Sequence, residues 1–372
     1  MHLLLTTVED AFDVKAWSGI PYSLREALER QVERLTVFSP SRPARTLVDG
    51  LKRQWYGGTP KRYPLWMTRA TLEQNAREVK AEIARVRPDA VLSISSQCVA
   101  YLEDPGVPVF LFSDAPWLAW HETYAGTISA PVEMERYAAD EARAAGRLDG
   151  LCFGSEWAVG EAKRLYGVDG SRLHVTPLGA NWVPGVSREE VLARVEARAA
   201  DGLELLYVGK DWERKGGPLA VEVARRLGAR LHIVGCRPEL GGEALEFCTV
   251  HGLIYQSDPE GSARLAELFL RSHFLLVPTT AECFGIVFAE AQAFGLPPVS
   301  RAVHALPTVV EDGVTGVLLG LEAGAEAYVE RILELRRDEG RYRAMAVAAR
   351  ERFETVLNWD RTATAILSAI RC

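Results

Sequence analysis

Short apolar runs, each closed by turn residues and followed by a helical repeat, recur along all 372 residues. That alternation directs the chain to doubly wound α/β architecture. The N-terminal half offers strands at Met1–Thr6, Leu35–Ser39, Ala90–Ile94, Val107–Phe112, Gly150–Phe153 and Leu173–Pro177. Helices are expected near Tyr22–Glu33, Thr68–Val86, Val132–Gly146 and Glu156–Tyr166. The second half offers strands at Leu203–Val208, Arg230–Val234, Thr249–Leu253, Phe274–Val277, Pro298–Ser300 and Gly316–Leu319. Ser187-Arg-Glu-Glu190 is a capping box opening a helix to about Ala199, expected in the link between two domains. The chain is too long for one typical domain and suits two.

Composition narrows the function classes. A hydrophobic fraction of 48% and a charged fraction of 25% are those of a globular chain. The six cysteines show no C-x-x-C spacing, so neither a zinc site nor a disulfide framework is indicated, and reduced thiols in a cytoplasm fit best. The first residues are too uncharged for a signal peptide, and no apolar run approaches the ~20 residues of a membrane span. A net charge of −7 argues against general nucleic-acid binding.

Two strand-to-helix junctions in the second half carry chemistry. In the first, Leu203–Val208 empties into Gly209-Lys210-Asp-Trp-Glu-Arg-Lys215-Gly216-Gly217-Pro218, and a helical repeat follows. Lys210 and Lys215 are spaced to bracket a diphosphate; an ordinary basic surface loop is the alternative. In the second, Phe274-Leu-Leu-Val-Pro278 runs into Ala281-Glu-Cys-Phe-Gly285-Ile-Val-Phe-Ala-Glu290. A helix opening there presents unpaired amides and the positive end of its dipole, which bind anions. Glu282 lies before that N-terminus, and Glu290 lies about 7.5 Å along the axis from Gly285. That is roughly the reach from a phosphate to a sugar ring, so each carboxylate could hold hydroxyls on one side of a diphosphate. Otherwise Glu290 is a solvated helix residue and Glu282 a loop acid.

Together these motifs resemble the retaining GT-B glycosyltransferases of group 1, the family 4 type that includes glycogen and sucrose synthases. Gly209-Lys210 through Lys215-Gly216 stands for that family's Gly-Arg-x-x-x-x-Lys-Gly turn, with lysine in place of arginine. Glu282, Phe284, Gly285 and Glu290 match its Glu-x-Phe-Gly-x-x-x-x-Glu segment. Glu311-Asp-Gly-Val-Thr-Gly316 and Phe353-Glu-Thr-Val-Leu-Asn-Trp359 extend the likeness, which is loose before residue 110.

The resemblance implies two Rossmann-like doubly wound domains facing a central cleft. An acceptor-side domain would span 1–182, a nucleotide-sugar-binding domain 183–352, and 353–372 would carry a helix crossing back to the first. It further implies a sugar moved from a nucleotide-diphosphate donor to a glycan, lipid-linked or small-molecule hydroxyl with retention. Neither cofactor nor metal is expected, and no Asp-x-Asp motif occurs. Lys210, Lys215 and the amides of Cys283, Phe284, Gly285, Ile286 and Val287 would meet the diphosphate. Glu282 would hold the transferred sugar, Glu290 the ribose, and backbone near Tyr255 the base.

Three features of the N-terminal half complete the expected site. Gly19, in Trp17-Ser-Gly19-Ile-Pro21, matches the loop whose backbone approaches the donor phosphates in the family, unless it is a plain turn. Asp114 stands where many relatives carry a histidine, and either orients an acceptor hydroxyl or caps a helix; His121 could supply the missing imidazole. Residues 41–70 hold seven basic side chains against one acid, Asp49, with Trp55, Tyr56, Tyr63 and Trp66 among them. That stretch would grip an anionic acceptor or rest peripherally on the inner face of a membrane, or else is a solvated loop. The family's Gly-Gly-Leu-Pro loop reads His304-Ala305-Leu306-Pro307, where added side chains would narrow the pocket. A GT-B sugar-nucleotide epimerase, and a non-catalytic sugar-nucleotide-binding protein, are the alternatives.

Overall fold

The computed structural model describes all residues except 42–50, 52–53, 55–65, 67, 125–130, 184 and 199–201, together with the side chains of 131–133. The chain divides into two compact units, Met1–Pro177 with Trp359–Cys372, and Leu178–Asn358. The basic stretch at 41–70 lies almost wholly outside the described residues.

Each unit is built on a six-stranded parallel sheet with helices between its strands. In the first, β1 (His2–Thr6), β2 (Arg34–Phe38), β3 (Ala90–Ser93), β4 (Val109–Ser113), β5 (Gly150–Phe153) and β6 (Leu173–Val175) run in the order β2-β1-β3-β4-β5-β6. In the second, β7 (Glu204–Val208), β8 (Arg230–Val234), β9 (Cys248–Gly252), β10 (Phe274–Leu276), β11 (Pro298–Arg301) and β12 (Val317–Leu319) run β12-β11-β10-β7-β8-β9. Strands covered on both faces read as unbroken apolar runs rather than alternating ones. Leu3, Leu4 and Leu5 are accordingly 0% exposed, as are Phe274, Leu275 and Leu276. Strand order reverses between β1 and β3, and again between β7 and β10. In doubly wound sheets, that reversal leaves a crevice at the carboxyl ends of the strands.

Local chemistry fixes the helix starts. The side chains of Ser155, Ser187 and Asp258 accept the amides of Ala158, Glu190 and Gly261 at 3.1, 3.1 and 2.9 Å. The helix opened by Ser187, Arg188–Arg198, is no bare link: it belongs to the second unit, with Val191, Val195 and Arg198 buried. The Arg198 guanidinium donates to the carbonyls of Phe269, Leu270, Phe294 and Gly295, which clamps the helix to two neighbouring segments. A buried guanidinium is tolerated because four carbonyl dipoles replace its water.

The last helix, Trp359–Arg371, packs within the first unit. Asp360 receives Arg30 at 2.7 Å, Thr362 Oγ1 donates to Pro177 O at 2.7 Å, and the Trp359 ring meets Phe112 edge-on. No helix among the described residues is long and apolar enough to cross a membrane.

Candidate functional site

The loops after β7 and β10 flank the reversal of the second sheet and are stitched to each other through Arg214. Its carbonyl accepts the Thr280 amide at 2.9 Å and the hydroxyls of Thr279 and Thr280 at 3.3 and 3.1 Å. Its guanidinium donates to Ala281 O at 2.6 Å and lies 3.1 Å from Asp211. Gly216, with φ +72°, makes the closest approach, because a Cβ there would sit 2.2 Å from the Pro278 carbonyl oxygen. Lys215 and Glu282 are brought together as an ion pair, their side chains 12% and 4% exposed. Arg214 adds a second positive charge 3.7 Å from the same carboxylate. Lys210, at the other end of the turn, is exposed.

Gly285, at φ +85°, is the N-cap of the helix Ile286–Ala293, so the first amides of that helix have no partner within it. Cys283 and Phe284 are 0% and 3% exposed and pack inward, which leaves their backbone rather than their side chains for a ligand. Glu290 is not a solvated helix residue: it is 6% exposed. Burial pushes its carboxyl up to about 7, opposed by hydrogen bonds to the Gln256 side chain and the Trp182 backbone. Tyr255 is 61% exposed in the loop after β9. Ala305 and Leu306 turn into the core at 0% exposure. The chain reaches them through a left-handed His304, and the Ala305 amide leans on Glu282 O at 3.4 Å.

In the first unit the loop after β1 ends in three consecutive left-handed residues, Trp17, Ser18 and Gly19. Gly19 is buried and N-caps the helix Ile20–Glu29. Two non-glycine residues in that region cost of order 1–3 kcal/mol each, strain that collects at functional loops. A cavity of about 490 Å3 opens beside it, at the carboxyl ends of β1, β3, β4 and β5. Asp114 lines this cavity and caps no helix. It is 9% exposed and accepts the Ala115 amide at 2.9 Å, and burial pushes its carboxyl up to about 6. His121 is buried against Trp117, with ring centres 5.3 Å apart, and does not line the cavity.

Arg214 and Glu141 escape a reading of the sequence. Arg214 sat inside the matched turn, but its role comes from a loop 67 residues away. Glu141 lies within a helix, Pro131–Ala145, whose only local signal is periodicity. It is 4% exposed, lines the cavity, and accepts the Trp117 amide at 3.1 Å. Burial raises its carboxyl above the usual range. Among the described residues no three His, Cys, Asp or Glu side chains are grouped to hold a metal ion.

Residues 189–352 match the family model described as glycosyl transferases group 1. A D-inositol 3-phosphate glycosyltransferase of Xylanimonas cellulosilytica is 33% identical over 224 residues, which are 55% of this chain and 52% of that protein. A protein of the same name from Mycobacterium bovis is 31% identical over 231 residues, 56% of this chain and 45% of its own. The chain thus spans about half the length of the curated relatives it matches. Among solved structures, sucrose-phosphate synthase from Thermosynechococcus elongatus aligns over 100% of this chain and 98% of its own, with TM-score 0.67 and 19% identity. The Anabaena HepE protein, in complex with UDP and glucose, aligns over 100% and 99% with TM-score 0.65 and 12% identity. Likeness at that identity speaks to the fold. Residues 189–352 are thus similar to the group 1 glycosyltransferases, and the two α/β units have a two-domain, Rossmann-like GT-B fold.

Proposed function

We propose that the chain is a retaining, metal-independent glycosyltransferase that uses a nucleoside-diphosphate sugar. The observation that carries this reading is the Lys215–Glu282 pair, which lies where the second sheet reverses and beside the amides opening Ile286–Ala293. A diphosphate would suit such a place, because Lys215, Arg214 and a helix N-terminus all belong to the loops flanking the reversal. Its UDP-bound structural neighbour supports a nucleotide of that class.

In the proposed reaction the acceptor oxygen bonds to the anomeric carbon as the bond from that carbon to the diphosphate oxygen breaks. The acceptor proton passes to the leaving diphosphate, so no protein base is required. Charge grows on the β-phosphate during this step. Lys215, released from Glu282, and Lys210 would stabilise it together with the amides of Gly285, Ile286 and Val287. A lysine about 4 Å from a phosphate oxygen contributes about 4 kcal/mol at an effective dielectric of 20, before desolvation. A helix N-terminus adds about 0.3–2 kcal/mol, so the lysines carry the larger share. Glu282 would then turn to hydroxyls of the transferred sugar. Glu290, from within the same helix, would accept the ribose hydroxyls.

Thermal shift against UDP, GDP, ADP and dTDP, followed by assay of the stabilising base as its glucose conjugate, tests the reading. Bound donor raises the melting temperature by mass action. Slow hydrolysis of one nucleotide sugar with retained anomeric configuration is the expected result. Stabilisation by none of the four would overturn it, and C2 epimerisation of the donor would point to the epimerase instead.

A further inference from the structure

The cavity of the first unit has a chemistry that the family likeness does not dictate. Trp17, Trp66, Trp117, Trp120 and Tyr137 contribute to its walls, and Trp66, Trp117 and Tyr137 contact one another edge-on with centroids 4.8–6.3 Å apart. Its ionisable lining apart from tyrosine consists of Glu9, Asp114 and Glu141; no lysine, arginine or histidine among the described residues joins them. Asp114 is 9% exposed and Glu141 4%, so both carboxyls are held out of water. Their hydrogen bonds come from neutral groups: the Ala115 amide and Ser113 hydroxyl for Asp114, and the Trp117 amide for Glu141. Buried carboxylates are ordinarily paired with a cation, and among the described residues no cation pairs with either of them.

We propose that this cavity binds a polyol bearing a protonated amine, an amino sugar or aminocyclitol, and that such a compound is the acceptor. The inference rests on the transferase reading above and names the substrate class that reading left open. The ammonium supplies the missing positive charge to Asp114 and Glu141, and it also meets the faces of Trp117 and its neighbours by cation–π attraction. The flat, apolar side of a sugar or cyclitol ring stacks on the remaining aromatic wall. A phosphorylated polyol meets three carboxyl groups of its own sign here and is disfavoured. A volume of about 490 Å3 lies within the range of small-molecule sites and accommodates one or two rings.

Tryptophan fluorescence of the full chain reads the cavity directly. Titration near neutral pH with D-glucosamine, N-acetyl-D-glucosamine, D-glucose and D-glucose 6-phosphate should give saturable binding tightest for glucosamine. Acetylation or removal of the amine should weaken it at least tenfold. Glu141→Gln, which keeps the shape and the Trp117 hydrogen bond, should cost glucosamine about tenfold and leave glucose unchanged. Asp114→Asn serves as the second variant should the first fail to fold. Equal affinity for glucosamine and glucose, no saturable glucosamine response, or preference for the phosphate would overturn the proposal. UDP titrated into the same samples separates the two readings. Binding of UDP without an amine preference overturns this inference alone, whereas an amine preference without nucleotide binding overturns the transferase reading and leaves the amine site standing.

Discussion

Lys215 and Glu282 lie 67 residues apart in sequence and form an ion pair at the point where the second sheet reverses, their side chains 12% and 4% exposed. Neither residue is isolated from the backbone scaffold. Arg214 ties both loops together and stands 3.7 Å from Glu282. The two groups offset each other in a place where a lone charge would be costly. In the proposed reaction an arriving diphosphate would compete with Glu282 for the lysine, and the freed carboxylate would become an acceptor for sugar hydroxyls. Lys215 therefore has a structural partner as well as a proposed catalytic one.

That double duty makes the outcome of mutation specific. Lys215→Met should lose both stability and turnover, because Glu282 then keeps only the more distant Arg214. Removing one partner of a buried pair costs about 3–5 kcal/mol. Glu282→Gln should cost less, since lysine can extend toward water. The double variant Lys215→Met/Glu282→Gln should melt above Lys215→Met while staying inactive, with turnover down roughly 10²–10³ if about 3–4 kcal/mol of transition-state stabilisation is lost. Melting temperatures and single-turnover rates at saturating donor decide this. A double variant that turns over like the parent would remove Lys215 from the diphosphate.

Glu290 links pH to stability. Its carboxyl is held up at about 7 by burial, against a reference of 4.5. Folding therefore favours the neutral form. Stability from this group is full below about pH 4.5 and is lost as pH rises through about 7. The difference is of the order of 3 kcal/mol at about 1.36 kcal/mol per pH unit. Glu290→Gln should flatten that part of the stability curve and raise the melting temperature at pH 8, while weakening nucleoside-diphosphate binding through loss of an ionised acceptor. Denaturation curves at pH 5 and pH 8, with calorimetric UDP titration, measure both effects. A variant less stable than the parent at pH 8 would place Glu290 in an ionised, satisfied role instead.

The sheets were legible in the sequence because parallel strands, buried on both faces, leave continuous apolar runs such as Phe274–Leu276. The matched turn and the Glu282–Glu290 segment were legible because glycine and charge recur at fixed spacing. Short helices such as Ser96–Val99 and Leu306–Val309 were not, since four residues cannot display a helical period. Nothing local marks Arg198 as buried, yet it lies under four carbonyls from the C-terminal ends of two helices distant in sequence. The acidic, tryptophan-walled cavity is equally non-local: Glu9, Asp114 and Glu141 meet only once β1, β4 and the helix Pro131–Ala145 are in place.

Activity should survive excess EDTA, because in the proposed mechanism lysines and helix amides meet the diphosphate charge that a divalent ion meets elsewhere. Donor hydrolysis measured with and without chelator tests this on the unmodified chain. Complete loss in EDTA, restored by magnesium or manganese, would require a metal-assisted mechanism.

Gly216 and Gly228 offer a matched pair for the loop geometry. Both are left-handed, at φ +72° and +61°, but a Cβ at Gly216 would lie 2.2 Å from the Pro278 carbonyl oxygen, whereas at Gly228 nothing lies within 4 Å. Gly228→Ala should cost only the conformational term, about 1–2 kcal/mol, and leave nucleotide binding intact. Gly216→Ala adds a clash with backbone that no rotamer can relieve, so the loops after β7 and β10 must part. The loss should reach about 3 kcal/mol or more, and nucleoside-diphosphate affinity should fall with it, because Lys215 is the next residue and Arg214 stitches the two loops. Paired melting curves and UDP titrations of the two variants provide the comparison. Equal melting temperatures and equal affinities would mean that the close approach of Gly216 to Pro278 contributes nothing beyond its backbone conformation.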